Sequence, residues 1–410
     1  MPRIDVVVIG AGQAGLAMSR RLRDAGIMHV VLERDRTAGR WRSERRPSLR
    51  LLTPNWMTRL PGWRYAGADP DGFMTMPEVA DFLEDYARSF DAPVITDSGV
   101  DSLSGSPGAF TVETRHEIWL ARAVVIATGH CDTPVVPAMA RALAPRIHQS
   151  TAADYRTPEA LPPGGTLVVG GSASGVQIAD ELARAGRSVA ISVGRHIRMP
   201  RRYRDRDIMS WLDSCGILNV RREALPDPKA AVGQPSLQLA GHPDHRDVGL
   251  VQLRERGVAL LGRACEIDGA RIRFADDLPQ TSAAAQSKLA RLLQRIDGIE
   301  GPAATTRHSE PVPLAASASG WVDLDTRGIT SVVWATGYGR RYPWIRLPVL
   351  DHRGEIIQRG GVTLIAGLYA LGLHFMRRRN SSFIDGVGND ARDLARHIAD
   401  LLRASRRMAA

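Results

Sequence analysis

Near the amino terminus the glycine run Gly10-Ala11-Gly12-Gln13-Ala14-Gly15 follows an apolar stretch, Ile4 to Ile9, and an acid, Glu33, comes eighteen residues after Gly15. This spacing suits the diphosphate of a dinucleotide. Gly10 permits a tight turn, and Gly12 lets backbone N–H groups approach a pyrophosphate where a side chain should clash. Gly15 lets the following helix pack closely on the strand. Glu33 ends the next apolar run, His29 to Leu32, where a carboxylate can accept both hydroxyls of an adenosine ribose.

The same unit recurs at Gly170-Gly171-Ser172-Ala173-Ser174-Gly175, after Thr166 to Val169. In both copies the closing glycine, Gly26 or Gly186, comes at an offset of eleven from the third glycine. Ser172 replaces the central glycine; it is small and can add a hydrogen bond to phosphate. Aligning the copies puts Val193 where Glu33 sits and Arg195 where Asp35 sits. A carboxylate that would repel a 2′-phosphate is thus absent and a guanidinium that would pair with it is present, so NADPH is expected over NADH. A further repeat joins the two: Val124 to Gly129 and Val332 to Gly337 are both apolar runs ending in Ala-Thr-Gly, where a short turn passes close to bound nucleotide.

Positioning these residues requires two strand–turn–helix–strand units. Apolar runs bounded by glycine predict strands at 4–9, 29–32, 166–169 and 188–193, with helices reaching Ala25 and Ala185. Helical spacing also predicts a helix over Pro77 to Phe90 with Val79, Phe82, Leu83, Tyr86 and Phe90 on one face, a second over Ser282 to Ile296, and a last one over Asp390 to Leu402. Gly301 to Gly320 reads as a Pro/Ala/Ser-rich connection, and Gly367 to Gly372 as a strand. Around Gly39-Arg40-Trp41-Arg42 and Leu51 to Met57 an aromatic and polar mixture predicts a loop lying against a ring system. The fold class is α/β with two Rossmann-like domains. The expected division is 1–158 for the first part of one dinucleotide-binding domain, 159–325 for the second such domain and 326–410 for the carboxyl-terminal part of the first.

Length and composition agree. A chain of 410 residues accommodates two such domains, and 44% hydrophobic with 24% charged residues is an ordinary globular balance. The strand-like start leaves no room for a secretory leader, no apolar run has the length of a membrane span, and a cytoplasmic location is expected. Cys131, Cys215 and Cys265 form neither a CxxC pair nor a metal cluster, and free thiols are expected, with no metal. The net charge of +10 comes from a chain in which 52 of 54 basic residues are arginine, with no basic arm or recognised module, so nucleic acid is not an expected partner. The cluster Arg198, Arg201, Arg202, Arg204 and Arg206 either helps hold phosphate or faces water. The triplet Arg377-Arg378-Arg379 before Asn380-Ser381-Ser382 either is a charged loop or serves flavin phosphate or substrate entry.

With both glycine motifs and both Ala-Thr-Gly turns in place, the chain resembles the class B flavin-containing monooxygenases and related bacterial flavoproteins grouped with potassium- or metal-transport oxidoreductases. The likeness covers nearly the whole length. It implies FAD at the first glycine motif, NADPH at the second, and a discontinuous FAD domain closed by the carboxyl-terminal segment. By resemblance FAD would meet Gly10, Gly12, Gln13, Ala14 and Gly15, then Glu33, Arg34, Arg40, Trp41 and Thr53, and further on Val100, Ala127, Thr128 and Gly129. NADPH would meet Gly170, Ser172, Ala173, Ser174, Gly175 and Arg195, with Thr336 and Gly337 also at a cofactor. Asn55, in Thr-Pro-Asn, is similar to a family asparagine near flavin and nicotinamide and is the candidate catalytic residue, an Asn-bearing turn being the plain alternative. The family pattern Phe-x-Gly-x-x-x-His-x-x-x-aromatic is not matched: around His148 its positions are Ala142, Ala144 and Ala152, with Tyr155 three residues late. Baeyer–Villiger activity is poorly supported, and His148 is expected to be structural.

The implied reaction is reduction of FAD by NADPH, addition of O2 at flavin carbon 4a, and oxygenation of a small molecule by the hydroperoxide, with no obligatory protein nucleophile. Three alternatives stay open. A pyridine nucleotide–disulfide reductase shares the double plan but would want a CxxC pair. An NADPH oxidase or reductase would make peroxide or reduce a carrier without oxygenation. A nucleotide-sensing module tied to transport would bind without turnover. A homodimer is compatible with all of them.

Overall fold

β1 (Arg3–Ile9) is inaccessible to solvent from Val6 through Val8, as its unbroken apolar run requires of a strand covered on both faces. The computed structural model describes residues 1–301 and 313–409. From β1 the chain turns through Gly10–Gly12 into α1 (Gln13–Asp24), whose Leu16, Met18 and Leu22 are buried, and closes at Gly26 (φ +66°) before β2 (His29–Leu32). α2 (Met76–Ser89) opens with a capping box: the Glu78 N–H donates to Thr75 Oγ1 at 3.4 Å and the Thr75 N–H to Glu78 Oε2 at 2.7 Å. Its Val79, Leu83 and Tyr86 are buried, with Phe90 just beyond its end, on the face that the sequence predicted. β3 (Val94–Ile95), a hairpin of β4 (Val100–Ser106) and β5 (Ala109–Thr114), and β6 (Ile118–Ile126) follow.

A second sheet starts at β7 (His148–Thr151). It continues through β8 (Gly165–Val169), α3 (Ala173–Arg184), β9 (Val189–Ser192), β10 (Ala259–Leu261), the long α4 (Leu278–Glu300) and β11 (Ile329–Trp334). Its order is β7-β11-β8-β9-β10, all parallel. The chain then returns: β12 (Leu368–Ala370) pairs in parallel with β6, and α5 (Ile384–Ala409) packs on α1. The first sheet runs β12-β6-β1-β2-β3 with all these pairs parallel, continued beyond β12 by the short strands Val362–Thr363 and Gln358–Arg359. It is built from both ends of the chain, the discontinuous arrangement expected from the sequence.

Strand pairing moves both expected domain boundaries. β7 lies before residue 159 and β11 after residue 325, yet both belong to the second sheet, so that unit runs from about His148 to Gly337. The reason is register: His148 to Thr151 has no apolar alternation and is a strand only because it pairs with Ser331 to Trp334. Helix α4 extends both ends of the predicted 282–296 span. α5 begins six residues before the predicted Asp390, where Ile384 and Val387 bury themselves in the core under the first sheet. Of the predicted 301–320 connection, residues 302–312 lie outside the described part.

Two buried arginines lock the units together. Arg46 reaches from the first unit to Gln177 and lies 3.6 Å from Glu181, both on α3. Arg201, inaccessible to solvent, donates to Leu52 O at 2.8 Å, pairs with Asp207 and lies over the Phe73 ring at 5.0 Å. Of the five arginines from 198 to 206, Arg201 is thus a structural strut. Among the described residues no helix is long and apolar enough to cross a membrane, and no group of three or more His, Cys, Asp or Glu side chains could hold a metal ion.

Candidate functional site

The first turn is built by one glycine fitting under another. Gly10 is left-handed (φ +104°), its N–H bonded to Leu32 O at 2.8 Å, and a Cβ there would stand 2.8 Å from Ala127 O. A Cβ on Gly15 would stand 1.8 Å from Gly10 O. Gly12 is different: its backbone is extended (φ −82°, ψ −171°), and a Cβ there would meet nothing within 4 Å. The expected clash at Gly12 is therefore not with protein. The open space beside its α-carbon belongs to a cavity of about 490 Å³ that runs past the turn.

That cavity is lined by Gly10, Gly12, Gln13 and Ala14 at the turn and by Glu33 and Arg34 at the end of β2. Arg40, Trp41, Val100, Ala127, Thr128 and Gly129, from the predicted set, also line it. Gly15 lies beneath the turn as a packing residue. Thr53 and Asn55, in contrast, are not among the lining residues. Asn55 is 4% exposed, and its amide clamps a loop: Nδ2 donates to Asp69 O at 2.9 Å and Oδ1 accepts from the Met74 N–H at 2.7 Å. Both ends of the amide thus hold backbone of the 69–74 loop.

Several lining side chains are fixed by neighbours. Glu33 Oε2 accepts from the Ala11 N–H at 2.6 Å and Oε1 from the Asp35 N–H at 3.3 Å, which aims the carboxylate across the mouth of the turn. Arg40 is held by Asp132 at 2.7 Å, Glu44 at 3.0 Å and Thr128 O at 3.2 Å, so it joins the 39–43 helix to the Ala-Thr-Gly turn. Trp41 Nε1 donates to Gln13 Oε1 at 3.3 Å, and Gln13 Nε2 to Ser382 O at 3.4 Å. Three segments far apart in sequence thereby meet at one end of the cavity. Burial, helped by the charges of His374, Arg340 and Arg45, pushes the His130 imidazole down to about 4, so it is neutral near pH 7. Burial likewise pushes the Cys131 thiol up, which keeps it protonated.

His130, Cys131, Asp132, Trp344 and Ser382 line this cavity without having been expected there. Ser382 had a signal in the Asn-Ser-Ser run after the arginine triplet. Trp344 had none, since it is brought in by packing of the 342–350 segment against β4 and β6.

The second turn repeats the packing logic. Gly170 (φ +124°) would put a Cβ 2.3 Å from Ala335 O, and Gly175 one 1.7 Å from Gly170 O. Each glycine turn thus lies against the alanine of its own Ala-Thr-Gly, which is why that tripeptide recurs. Ser172 is the extended N-cap of α3, with no side-chain cap bond. The first helical amide, Ala173 N–H, lies 3.4 Å from Ser236 Oγ, and Gln238 Nε2 donates to Gly171 O at 2.6 Å, so segment 236–238 crosses the turn. Ser174 lies in the first turn of α3. Arg195 is exposed just past β9, with no ion-pair partner among the described residues. The second Ala-Thr-Gly departs from expectation: Thr336 donates its hydroxyl to Val135 O, and Gly337 O accepts from the Val135 N–H at 3.0 Å. Both hold the strand that links the units, because Tyr338–Gly339 pairs with Thr133–Pro134. His148 is exposed on the edge strand β7.

A family model described as pyridine nucleotide-disulphide oxidoreductase matches residues 7–215. The chain is 33% identical to a CzcO-like oxidoreductase of Geobacillus kaustophilus over 398 residues, covering 96% of this chain and 98% of the relative. It is 30% identical to the indole-3-pyruvate monooxygenase YUCCA6 of Arabidopsis thaliana over 202 residues, 46% of this chain and 47% of that protein. Among solved structures, the flavin-containing monooxygenase from Stenotrophomonas maltophilia superposes with a TM-score of 0.68 at 21% identity, covering 98% of this chain and 99% of that one. At that identity the likeness concerns the fold: two dinucleotide-binding units, the first discontinuous.

Proposed function

The chain belongs to the pyridine nucleotide-disulphide oxidoreductase family, and on that premise we propose that it is an FAD-dependent, NADPH-consuming monooxygenase acting on a small molecule. The observation that carries the reading is the open space beside Gly12, in a cavity bounded by Glu33 at one end and by Trp41, Gln13 and Ser382 at the other. The residues fit FAD. The amides of Gly12, Gln13 and Ala14 at the start of α1 would hold the diphosphate, and Glu33 would take the ribose hydroxyls. Bound FAD supplies hydride acceptance from NADPH and activation of O2.

The chain's own residues position and exclude. Asp132 and Glu44 hold Arg40 against the Thr128 carbonyl, which fixes the turn below the flavin site. Gln13, linked to both Trp41 and Ser382, closes the cavity toward the carboxyl-terminal segment. His130, with its imidazole pushed down to about 4 by burial, brings no positive charge to the site at pH 7. Reduction of O2 balances with one oxygen atom entering the substrate and the other leaving as water, NADPH giving a hydride and solvent a proton. The chain has no pair of cysteines two residues apart to relay electrons as a dithiol, which favours this reading over a disulfide reductase. The monooxygenase relatives support it further.

NADPH belongs at the second turn, with Arg195 on its 2′-phosphate. Arg195→Ala should raise the Michaelis constant for NADPH about tenfold or more, the worth of one charge-assisted contact, while changing that for NADH less than about twofold. Steady-state kinetics with both coenzymes checks this, and equal losses would remove the assignment. Monooxygenation itself is tested by the balance of NADPH consumed, oxygenated product and peroxide over a panel of thioethers and amines. Product matching NADPH supports it, and peroxide alone favours an oxidase.

A further inference from the structure

The triplet Arg377-Arg378-Arg379 divides in a way that its sequence does not suggest. Arg378 pairs with Asp390 and lies 3.1 Å from Asp393, while Arg377 Nη1 lies 3.5 Å from the same Asp393 and its Nε donates to Gly360 O at 2.6 Å. Both are bound to the start of α5. Arg379 turns the other way, toward the second unit. Its one hydrogen bond among the described residues is a 3.4 Å contact from Nη1 to Gln234 Oε1, and its Nε is buried without a partner. No carboxylate pairs with it among the described residues, and burial, with the like charge of Arg295 on α4, disfavours its charged form. A half-buried guanidinium so placed is costly unless an anion joins it.

The surroundings look prepared for that anion. Phe375, 1% exposed, has a left-handed backbone (φ +46°), a strained state for an aromatic residue that tends to mark ligand clamps. Its ring lies 5.4 Å from the Arg379 guanidinium and serves as a platform for it. Arg379 does not line the flavin cavity, but its chain neighbours reach it. Ser382, three residues on, lines that cavity, and so does His130, whose ring lies 6.0 Å from that of His374. Burial, with the charges of Arg340 and Arg379, lowers the His374 imidazole below its ordinary value.

We propose that Arg379 is the recognition point for a substrate bearing a carboxylate, which it grips at the seam between the two units beside the flavin cavity. The planar fork of N–H groups takes both carboxylate oxygens, and the Gln234 amide can turn to add a further donor. The inference rests on the cavity being an oxygenating flavin site and adds the class of molecule that reaches it.

The test titrates the FAD-loaded full chain with methylthioacetate, phenylacetate and cinnamate, each against its own amide, following the absorbance of the bound flavin. At least one carboxylate should bind about tenfold more tightly than its amide. Arg379→Gln should erase that preference and Arg379→Lys restore part of it, with flavin content measured alongside as a check on folding. Equal binding of acid and amide in every pair, a preference that survives in Arg379→Gln, or a loss that falls on NADPH affinity instead would each overturn the assignment. Selective carboxylate binding with peroxide as the sole product would leave this site standing and sink monooxygenation. Turnover of amides and acids alike would do the reverse.

Discussion

Replacing Gly12 by valine should cost the protein its flavin and little else. The backbone there is extended, a state that a β-branched residue adopts freely, and no protein atom lies within 4 Å of the added Cβ. The apoprotein should therefore lose no more than about 1 kcal/mol, the cost of valine in place of glycine at the N-cap of α1. The side chain would stand where the diphosphate must approach the turn, and losing two charge-assisted contacts from backbone N–H groups, about 3 kcal/mol, weakens FAD binding roughly a hundredfold. Parallel urea unfolding of the stripped proteins and FAD titrations separate the two quantities. A destabilised apoprotein would mean that Gly12 is there for packing, and undiminished affinity would mean that the diphosphate lies elsewhere.

Gly15→Ala should do the opposite. Its Cβ would lie 1.8 Å from the Gly10 carbonyl oxygen and 2.9 Å from its carbonyl carbon, both backbone atoms of the turn that α1 must meet. Neither can move alone, since the Gly10 N–H is bonded to Leu32 O at 2.8 Å. Helix and turn must separate, at a cost of about 3 kcal/mol or more, the upper end of forced overpacking. For a unit of this size that lowers the Tm of the apoprotein by roughly 6–12 °C. A melting curve like that of the wild type would show that the turn is softer than its contacts indicate. Together the two glycines distinguish a motif residue needed by the ligand from one needed by the fold.

The sequence was most informative where local chemistry and local structure coincide. The apolar run into Gly10, the periodic helix to Ala25 and the acid at Glu33 all act within one unit, and their geometry follows from spacing alone. The repeat at Gly170 was legible for the same reason. Features that depend on distant partners were not. The polar strand His148–Thr151 becomes a strand only through β11, which shifted both domain boundaries. Thr336 looks like a copy of Thr128, yet its hydroxyl goes to Val135 on the linking strand, because the second Ala-Thr-Gly has a neighbour that the first lacks. Asn55 was assigned by likeness to a tripeptide, whereas the 69–74 loop that occupies both ends of its amide has no sequence signal pointing to it. Arg379 differs from Arg377 and Arg378 only in the direction its backbone gives it, after the left-handed Phe375.

The most direct test of the whole account is the stoichiometry of FAD on the purified chain, stripped of flavin and titrated while flavin fluorescence is recorded. Saturation at one FAD per chain, with a Kd on the order of a micromolar or tighter, is predicted for a built diphosphate site of this kind. A chain that stays colourless and retains no flavin after reconstitution, or that takes it up equally well with valine at position 12, would contradict it.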